Sequence, residues 1–386
     1  MSEGAPLIYI VAGEASGDVL GARLMRAIRA RMPGARFAGI GGARMAELGF
    51  VSLFPMHELA LMGLAEVLPK LRKLRRRMEE TVTDVTARRP DAIVTIDSPG
   101  FTLRLLKRVA PLGIPRAHYV APQVWAWREH RVKKYPGLWD KLLCLLPFEP
   151  AFFAGHGLAA DFVGHPVLES GADTGDAARF RQTHGLSAEA VPVILMPGSR
   201  VTEISRLLPV FAETLQRLSA QFPRLVPIMP VAASVAPRVL AAVEGWTDKP
   251  ILVTEVSDKH DAFAAAAVAL TKSGTSTLEL ALAGVPMVVT YKVNPITAAI
   301  VRRVVKVSYA AMVNLLAGRE VVPELIQQTC TPARLAEEIA RLLRDPAAAA
   351  AQRAAFASVM ASLRPAAGLP SEAAAEAVLS LLPAFG

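Results

Sequence analysis

Short apolar runs alternate with helical patterns along most of the chain. The first half contains LIYIVA (Leu7 to Ala12), RFAGIGG, AIVTID (Ala92 to Asp97) and RAHYVAP. The second half contains VPVILM (Val191 to Met196), LVPIMP, ILVTE, VALTKSG and VPMVVTY. Runs that are apolar on both faces are typical of parallel strands covered by helices on each side. The pattern therefore predicts an α/β protein with doubly wound sheets.

The segment from Leu168 to Ser187 interrupts this alternation with glycines and polar residues. We predict a Rossmann-like domain over residues 1–168, a second one over residues 188–345, and a helical tail over residues 346–386. Two such domains in series imply a cleft between the carboxyl ends of their strands, where small ligands bind.

The composition excludes several classes of protein. With 386 residues, 52% of them hydrophobic and 20% charged, the chain is too apolar to be disordered. Cys144 and Cys330 stand far apart, which excludes a disulfide framework and a CxxC zinc site and favours a reducing cytosol. The chain has no DxD motif and no HxxxH pair, so we expect no metal and no cofactor. The net charge of +9 predicts an anionic partner: nucleic acid, phospholipid or a phosphorylated substrate.

The first candidate site follows the strand VPVILM, in the turn Pro197-Gly198-Ser199-Arg200. A helix pattern follows this turn. Helix N-termini attract anions, Gly198 allows close backbone approach, and the Arg200 guanidinium can bind two phosphate oxygens, so Gly198, Ser199 and Arg200 are candidate phosphate ligands. The alternative is a glycine turn with a Ser or Thr helix cap and a solvated arginine.

A second candidate anion site lies in TKSGTST, between the strand VAL and the helix LELALAGVP. Ser273, Gly274 and Thr275 open that helix, and Glu279 lies one turn further, where its carboxylate can accept hydrogen bonds from a ribose diol. The alternative is a capping box with Thr275 or Ser276 as the cap and Glu279 as its acid. A nucleoside diphosphate would satisfy Arg200, the 273–275 backbone and Glu279 together.

The first domain carries carboxylates where a dinucleotide-binding protein would carry glycines. The loop after the first strand reads Gly13-Glu14-Ala15-Ser16-Gly17-Asp18, which is not GxGxxG, and its carboxylates would repel a pyrophosphate. Glu14, Ser16 and Asp18 suit a hydroxyl-rich ligand such as a sugar. The alternative is a turn in which Ser16 or Asp18 caps the next helix.

Asp97 is the candidate general base because it ends the apolar strand AIVTID at the carboxyl edge of a sheet. Partial desolvation there would raise the pKa of its carboxyl group, as taking a proton from an attacking hydroxyl requires. The alternative is a helix cap across Pro99. His118 lies near the end of another strand.

Two tryptophans follow that strand in YVAPQVWAWREHRVKK. Gln123, Trp125 and Trp127 form a candidate sugar-binding group, and packing is the favoured role for one of the two tryptophans.

The segment 59–78, LALMGLAEVLPKLRKLRRRM, combines an apolar stripe at helical spacing with six basic residues between Lys70 and Arg77. This combination is typical of a helix that lies on an anionic membrane surface, and a core helix with a solvated basic face is the alternative. The candidate membrane residues are Leu61, Met62, Leu64, Val67, Leu68, Lys70, Arg72 and Lys73.

The chain resembles the lipid-A-disaccharide synthase family in an ordered set of motifs from about Ile8 to Gln327. These motifs are GEASGD, IDSPGF, YVAPQVWAWREHRVKK, PFEPAFF, FVGHP, LMPGSRVTEI, TKSGTSTLELALAGVPMVV and NLLAGREVVPELIQ. The resemblance implies a GT-B fold, with UDP held by the C-terminal domain and the acceptor by the N-terminal one. It also implies that the C-terminal helices pack back on the N-terminal domain, and it leaves a homodimer open.

The same resemblance implies the reaction. The enzyme would be an inverting glycosyltransferase that transfers 2,3-diacylglucosamine from UDP-2,3-diacylglucosamine to 2,3-diacylglucosamine 1-phosphate, with a β-1,6 linkage and release of UDP. Both substrates are lipids, so we expect a cytoplasmic enzyme that associates peripherally with the inner membrane and does not bind nucleic acid.

The resemblance also implies site residues. Asp97 and Arg200 match catalytic positions, and Asn314 in NLLAGR matches a further substrate-binding position. Gly100 departs from the family pattern, which carries an acidic residue there. The alternatives are another GT-B enzyme, namely a UDP-GlcNAc transferase to a polyprenyl lipid or a UDP-GlcNAc 2-epimerase, and a non-catalytic nucleotide- or RNA-binding protein.

Overall fold

The chain folds into two compact units in the computed structural model, which describes residues 5–59, 67–294, 297–298, 304–305 and 307–382. Unit 1 comprises Met1–Pro166 and Leu363–Gly386, and unit 2 comprises Val167–Ser362.

Unit 1 contains a six-stranded parallel sheet. Its strands are β1 (Leu7–Ala12), β2 (Arg36–Ile40), β3 (Ala92–Ile96), β4 (Arg116–Tyr119), β5 (Lys141–Cys144) and β6 (Asp161–Phe162). The spatial order is β2-β1-β3-β4-β5-β6, so the chain moves outward from β1 to β2 and then returns to place β3 on the other side of β1. This reversal makes the β1–β3 junction the topological switch point, where open α/β sheets bind their ligands.

Helices cover both faces of this sheet. They are α1 (Ala15–Arg31), α2 (Ala43–Ala46), α3 (Val67–Arg88), α4 (Pro99–Val109), α5 (Val124–Trp127) and α6 (Glu149–Ala154). The β1 side chains from Ile8 to Ala12 are wholly buried, with alternate residues in two different core clusters. A strand that is buried on both faces explains the continuous apolar run in the sequence.

Unit 2 repeats the architecture. Its strands are β7 (Val191–Met196), β8 (Leu225–Pro230), β9 (Ile251–Val253), β10 (Val268–Lys272), β11 (Met287–Tyr291) and β12 (Glu324–Ile326). All neighbouring pairs are parallel in the order β12-β11-β10-β7-β8-β9. The switch point of this sheet therefore lies between β7 and β10. The two doubly wound sheets confirm the predicted fold class.

The helices of unit 2 continue the numbering. They are α7 (Ala177–Thr183), α8 (Val201–Ser219), α9 (Ala236–Val243), α10 (Val256–Ala265), α11 (Ser276–Leu282), α12 (Met312–Ala317), α13 (Pro332–Arg344) and α14 (Pro346–Ser362). The last described helix, α15 (Pro370–Leu379), belongs to unit 1.

The first predicted domain, 1–168, ends within two residues of Pro166, where the first stretch of unit 1 ends, but two other predicted bounds differ from the structure. The segment 168–187 is not a separator: it contains α7, whose N-terminal amides bind the Asp176 carboxylate, and Arg179 of this helix pairs with Asp261 of α10. The tail 346–386 does not act as one body. Helix α14 packs on α11, α12 and α13 within unit 2, and α15 packs on α1 with Val378 wholly buried. Alanine-rich composition predicts helix but does not say which core the helix covers.

No helix among the residues that the structure describes is long and apolar enough to cross a membrane.

Candidate active site

The switch point of unit 2 brings two of the predicted loops together. The turn 197–200 follows β7, and the loop 273–275 follows β10, its direct neighbour, with Met196 in register with Thr271. Parallel strands end at the same edge of their sheet, so both loops lie at one crevice. The two candidate anion sites, which the sequence analysis assigned to one nucleoside diphosphate, thus follow neighbouring strands of one sheet.

A buried carboxylate, Glu203, holds the turn after β7. Its Oε2 accepts hydrogen bonds from the backbone N–H of Ser199 at 3.2 Å and of Arg200 at 3.3 Å. Gly198 has a φ of +119°, and a Cβ at that position would meet Glu203 Oε2 and Cβ. Only glycine fits this close approach without strain.

This arrangement changes the interpretation of the turn. Arg200 is the N-cap residue of α8, not a Ser or Thr as the alternative prediction expected. The backbone amides of Ser199 and Arg200, which the prediction offered to a phosphate, already bind Glu203. The Arg200 side chain is 75% exposed, and its Nη1 lies 3.3 Å from Glu203 Oε1. The guanidinium is therefore the accessible anion ligand of this turn.

Lys272, a residue that the sequence analysis did not single out, pairs with the same carboxylate. Its Nζ lies 3.2 Å from Glu203 Oε1, and its side chain is 16% exposed. Glu203 consequently links the end of β10 to the start of α8. One carboxylate and two cations leave a net positive charge at the crevice.

A second ion pair fixes Glu279. Both of its carboxylate oxygens accept from Lys259 Nζ of α10, at 3.0 and 3.1 Å. Helix α11 begins at Ser276 after an N-cap Thr275, which puts Glu279 at the fourth helical position. The predicted capping box is therefore wrong, because the Glu279 carboxylate binds Lys259 instead of the N-cap amide. Lys259 was also missed, since nothing near position 259 in the sequence marks it as a partner of residue 279.

Asn314, predicted to bind substrate, lies in the interior of unit 2. The side chain is wholly buried. Its Nδ2 donates to Val322 O and Glu324 Oε1, and its Oδ1 accepts from the amides of Val321 and Val322. These four hydrogen bonds use both N–H groups and both lone pairs of the side-chain amide.

Hydrogen bonds connect Asn314 to the loop after β10. Glu324, which it holds, accepts from the amides of Ala310 and Ala311, and Ala310 O accepts from Ser273 Oγ at 2.6 Å. The side chain of Ser273 is thereby directed to the protein backbone.

At the switch point of unit 1, the loop after β1 separates its polar residues into two groups. Glu14 and Ser16 are exposed at the start of α1. Asp18 is 4% exposed, and its carboxylate accepts from the amides of Gly42, Arg44 and Met45. Asp18 therefore caps α2, and its contact with substrate stays a prediction. Three backbone N–H groups, of Gly42 and of the first turn of α2, occupy its carboxylate.

Asp97 follows β3 in a strained conformation. Its φ is +49° and that of Ser98 is +47°, both in the left-handed region that non-glycine residues rarely adopt. The backbone is held by Asp97 N donating to Tyr119 O at 2.9 Å and by Thr102 Oγ1 donating to Asp97 O at 2.7 Å. Such strain is concentrated at functional sites.

The environment of Asp97 fits a general base. Burial raises the pKa of its carboxyl group above the usual value, and a hydrogen bond from the Ser98 backbone offsets this only in part. The side chain does not cap α4, whose N-cap residue is Ser98. Ser98 in turn packs on Gly13, where a Cβ would lie 2.5 Å from Ser98 Oγ, so the loops after β1 and β3 touch. A side chain at Gly100 would meet nothing within 4 Å.

His118 is a core residue. It is wholly buried, stacks on Trp139 and shares a 2.8 Å hydrogen bond with Thr95 Oγ1. Burial lowers the pKa of His118 to about 3, so the imidazole is neutral at physiological pH.

The sequence analysis favoured packing for one of the two tryptophans after β4, and the structure shows one packed and one exposed. Gln123 is exposed at the start of α5, and Trp127 is 42% exposed with the Arg128 guanidinium over its ring. Trp125 is half-buried and packs edge-on against Phe148.

Glu149, at the start of α6, anchors this region and was also missed. It is 2% exposed and accepts from Trp125 Nε1 at 3.0 Å and from the amides of Leu145 and Leu146. Burial raises the pKa of Glu149 to about 7 despite these hydrogen bonds. The signal in the sequence was an acid five residues beyond an apolar strand, but its side-chain partner Trp125 lies on α5.

The described part of the segment 59–78 packs on the core of unit 1. Leu59, Leu74 and Met78 are buried in one cluster, which supports the core-helix alternative for these positions. Of the candidate membrane residues, Leu61, Met62 and Leu64 lie outside the described residues, and only the backbone is described for Val67, Leu68 and Lys70. Arg72 is exposed, and Lys73 pairs with Glu58 at 3.2 Å.

Within the described ranges, no group of three or more His, Cys, Asp or Glu side chains could hold a metal ion.

Comparison with known proteins identifies the family. A model of the family "Lipid-A-disaccharide synthetase" matches residues 8–378. The chain is 59% identical to the lipid-A-disaccharide synthase of Granulibacter bethesdensis over 98% of this chain and 99% of the relative. It is 60% identical to the enzyme of the same name from Gluconobacter oxydans, covering 97% and 91% of the two chains. The chain belongs to the lipid-A-disaccharide synthase family.

Solved structures share the fold of this synthase family member. The glycotransferase of kitacinnamycin superimposes with a TM-score of 0.64 at 18% identity, covering 98% of this chain and all of the other. The chain therefore has the GT-B type of two-unit α/β fold, as the resemblance implied.

The ionisation of Glu149 generates a testable prediction for this synthase. Because the folded pKa of about 7 lies above the unfolded value of 4.5, the fold favours the protonated form, and that stability is lost as pH rises through 7. Glu149→Gln cannot ionise. In urea unfolding it should match the wild type at pH 4 and exceed its unfolding free energy at pH 8 by up to about 3 kcal/mol.

The control is Glu213→Gln on α8, whose carboxylate is 54% exposed and whose replacement should leave the pH dependence unchanged. A Glu149→Gln protein that is less stable than the wild type at pH 8 would contradict this interpretation.

Proposed function

We propose that the chain transfers 2,3-diacylglucosamine from UDP-2,3-diacylglucosamine to 2,3-diacylglucosamine 1-phosphate, forming the β-1,6 lipid A disaccharide and UDP. The proposal rests on one observation, the position of the polar residues at the switch point of each unit. In each unit the polar residues lie on the loops that follow the two strands at the switch point, and a family match over residues 8–378 supports this function for them.

Unit 2 supplies the UDP site in this proposal. The exposed Arg200 guanidinium binds the diphosphate of the donor, next to the loop 273–275. Glu279 accepts hydrogen bonds from the ribose hydroxyls while its carboxylate stays paired with Lys259. With no metal or cofactor, positive groups of the protein stabilise the charge that develops on the departing UDP.

Unit 1 supplies the acceptor site. Asp97 removes the proton from the 6-hydroxyl of the acceptor, and the resulting oxygen attacks C1 of the donor sugar. The bond between C1 and the diphosphate oxygen breaks, and UDP leaves with both electrons. A single displacement inverts the anomeric centre. Glu14, Ser16 and Gln123 are exposed after β1 and β4, where they bind sugar hydroxyls.

Both lipid substrates require access to a bilayer, which we assign to the cytoplasmic face of the inner membrane. Arg72, Lys73, Arg75 and Arg76 are exposed on α3 and provide cationic side chains for an anionic surface. Each such residue near the surface contributes about 1 kcal/mol to membrane binding. The enzyme associates peripherally, and a homodimer is compatible with this arrangement.

The function is tested by UDP release from the purified protein in detergent. UDP-2,3-diacylglucosamine alone should give no release, and addition of 2,3-diacylglucosamine 1-phosphate should give stoichiometric UDP and a disaccharide with a β anomeric proton by NMR. Conversion of the donor without acceptor, or no conversion with both substrates, would contradict the proposal.

Asp97→Asn tests the base. The amide keeps the volume but cannot take a proton, so turnover should fall by about 100-fold or more while the dissociation constant for UDP, measured by calorimetry, stays unchanged. In the wild type, kcat/KM should fall with acidification as Asp97 is protonated, with a midpoint above the usual carboxyl value because burial raises its pKa.

The control for this variant is Asp161→Asn, since that carboxylate is 49% exposed in the same unit and pairs with Lys141. Full activity in Asp97→Asn would remove this residue from the base role.

A further inference from the structure

Lys272, the last residue of β10, carries a positive charge that the mechanism above does not use. It lies at the switch point, with Glu203 on one side and the Tyr291 ring of the neighbouring strand β11 at 5.8 Å from its ammonium nitrogen. Its side chain is 16% exposed, against 75% for Arg200. A cation held this far inside a crevice interacts more strongly with a nearby anion than an exposed one does.

The ammonium group lies directly over the loop that would receive a diphosphate. A Cβ at Gly274 would be 3.1 Å from Lys272 Nζ, so glycine keeps the space beside the ammonium open. An ammonium carries three N–H donors, and the 3.2 Å contact with Glu203 Oε1 uses one of them.

Glu203 explains why the lysine points here. A lysine at a strand end ordinarily extends into solvent, but the Glu203 carboxylate holds this one in the crevice. Glu203 is itself fixed by the amides of Ser199 and Arg200. A lone buried carboxylate would repel a diphosphate. Here the two positive charges of Arg200 and Lys272 exceed the single negative charge of Glu203.

We propose that Lys272 is a second diphosphate-binding residue of the donor site, with Glu203 as the residue that positions it. This inference rests on the proposed function. Arg200 contacts the diphosphate from the exposed side of the turn after β7, and Lys272 contacts it from the floor of the crevice after β10. Together they stabilise the negative charge on the leaving UDP.

The test compares UDP with uridine, which lacks the diphosphate. In Lys272→Met, a substitution of similar length, calorimetry should show UDP binding weakened at least about tenfold, because a charge-assisted hydrogen bond is lost. Uridine binding should stay within about twofold. The control is Arg217→Met, which removes an exposed cation of α8 that pairs with Glu213 and should leave both affinities unchanged. UDP binding unchanged in Lys272→Met would overturn the proposal.

A double variant separates direct binding from simple neutralisation of Glu203. Lys272→Met with Glu203→Gln removes both charges, so the buried carboxylate that loses its lysine partner in the single variant is neutralised as well. If Lys272 binds the diphosphate, UDP affinity stays low in the double variant. If Lys272 only neutralises Glu203, the double variant recovers wild-type UDP affinity, which would overturn the proposal. A wild-type protein that binds neither UDP nor uridine would instead refute the proposed function, and this inference with it.

Discussion

In each sheet of this chain, the direction in which successive strands are added reverses once. Nearly all of the candidate site residues lie on the loops at that reversal. In unit 1 the chain moves from β1 outward to β2 and returns to lay β3 on the other side of β1; β7 and β10 are related in the same way in unit 2. Loops after the two strands at such a junction lead away to opposite sides and leave a crevice between them. The contacts of Gly13 with Ser98 and of Gly198 with Glu203 show how closely the chain packs at these junctions.

The two crevices differ in charge, and the difference follows from their ion pairs. Unit 1 presents Glu14 and a partly desolvated Asp97, groups suited to hydroxyls and to proton removal. Unit 2 presents Arg200 and Lys272 around one buried carboxylate, an arrangement suited to a diphosphate. A transferase needs both properties, and the chain provides each one on a separate sheet.

Much of the fold could be predicted from the sequence because parallel strands buried on both faces leave continuous apolar runs. The runs before Gly13, Ser98, Pro197 and Ser273 all became strands at the switch points. The packing of the C-terminal helices was harder to predict, because the apolar stripe of an alanine-rich helix is too weak to indicate which core the helix covers. Helix α14 packs on unit 2 and α15 on unit 1 for reasons that lie in distant residues.

The roles of single polar residues were less predictable. Asp18 and Asn314 have the residue types of ligand-binding groups, yet backbone amides of other segments occupy most of their hydrogen-bonding capacity. Lys259, Lys272 and Glu149 were missed for the converse reason, since the side-chain partner of each lies on a helix elsewhere in the chain. In the sequence, the apolar stripe around Leu74 was equally consistent with a protein core and with a membrane surface. The structure shows that this stripe packs against the sheet of unit 1.

The central claim is that unit 2 holds the diphosphate and unit 1 the acceptor. A crystal structure of the protein with UDP tests it most directly. The account predicts the diphosphate within hydrogen-bonding distance of Arg200 and Lys272, with the ribose hydroxyls on Glu279. A diphosphate bound instead to the loop after β1, beside Glu14, would contradict it.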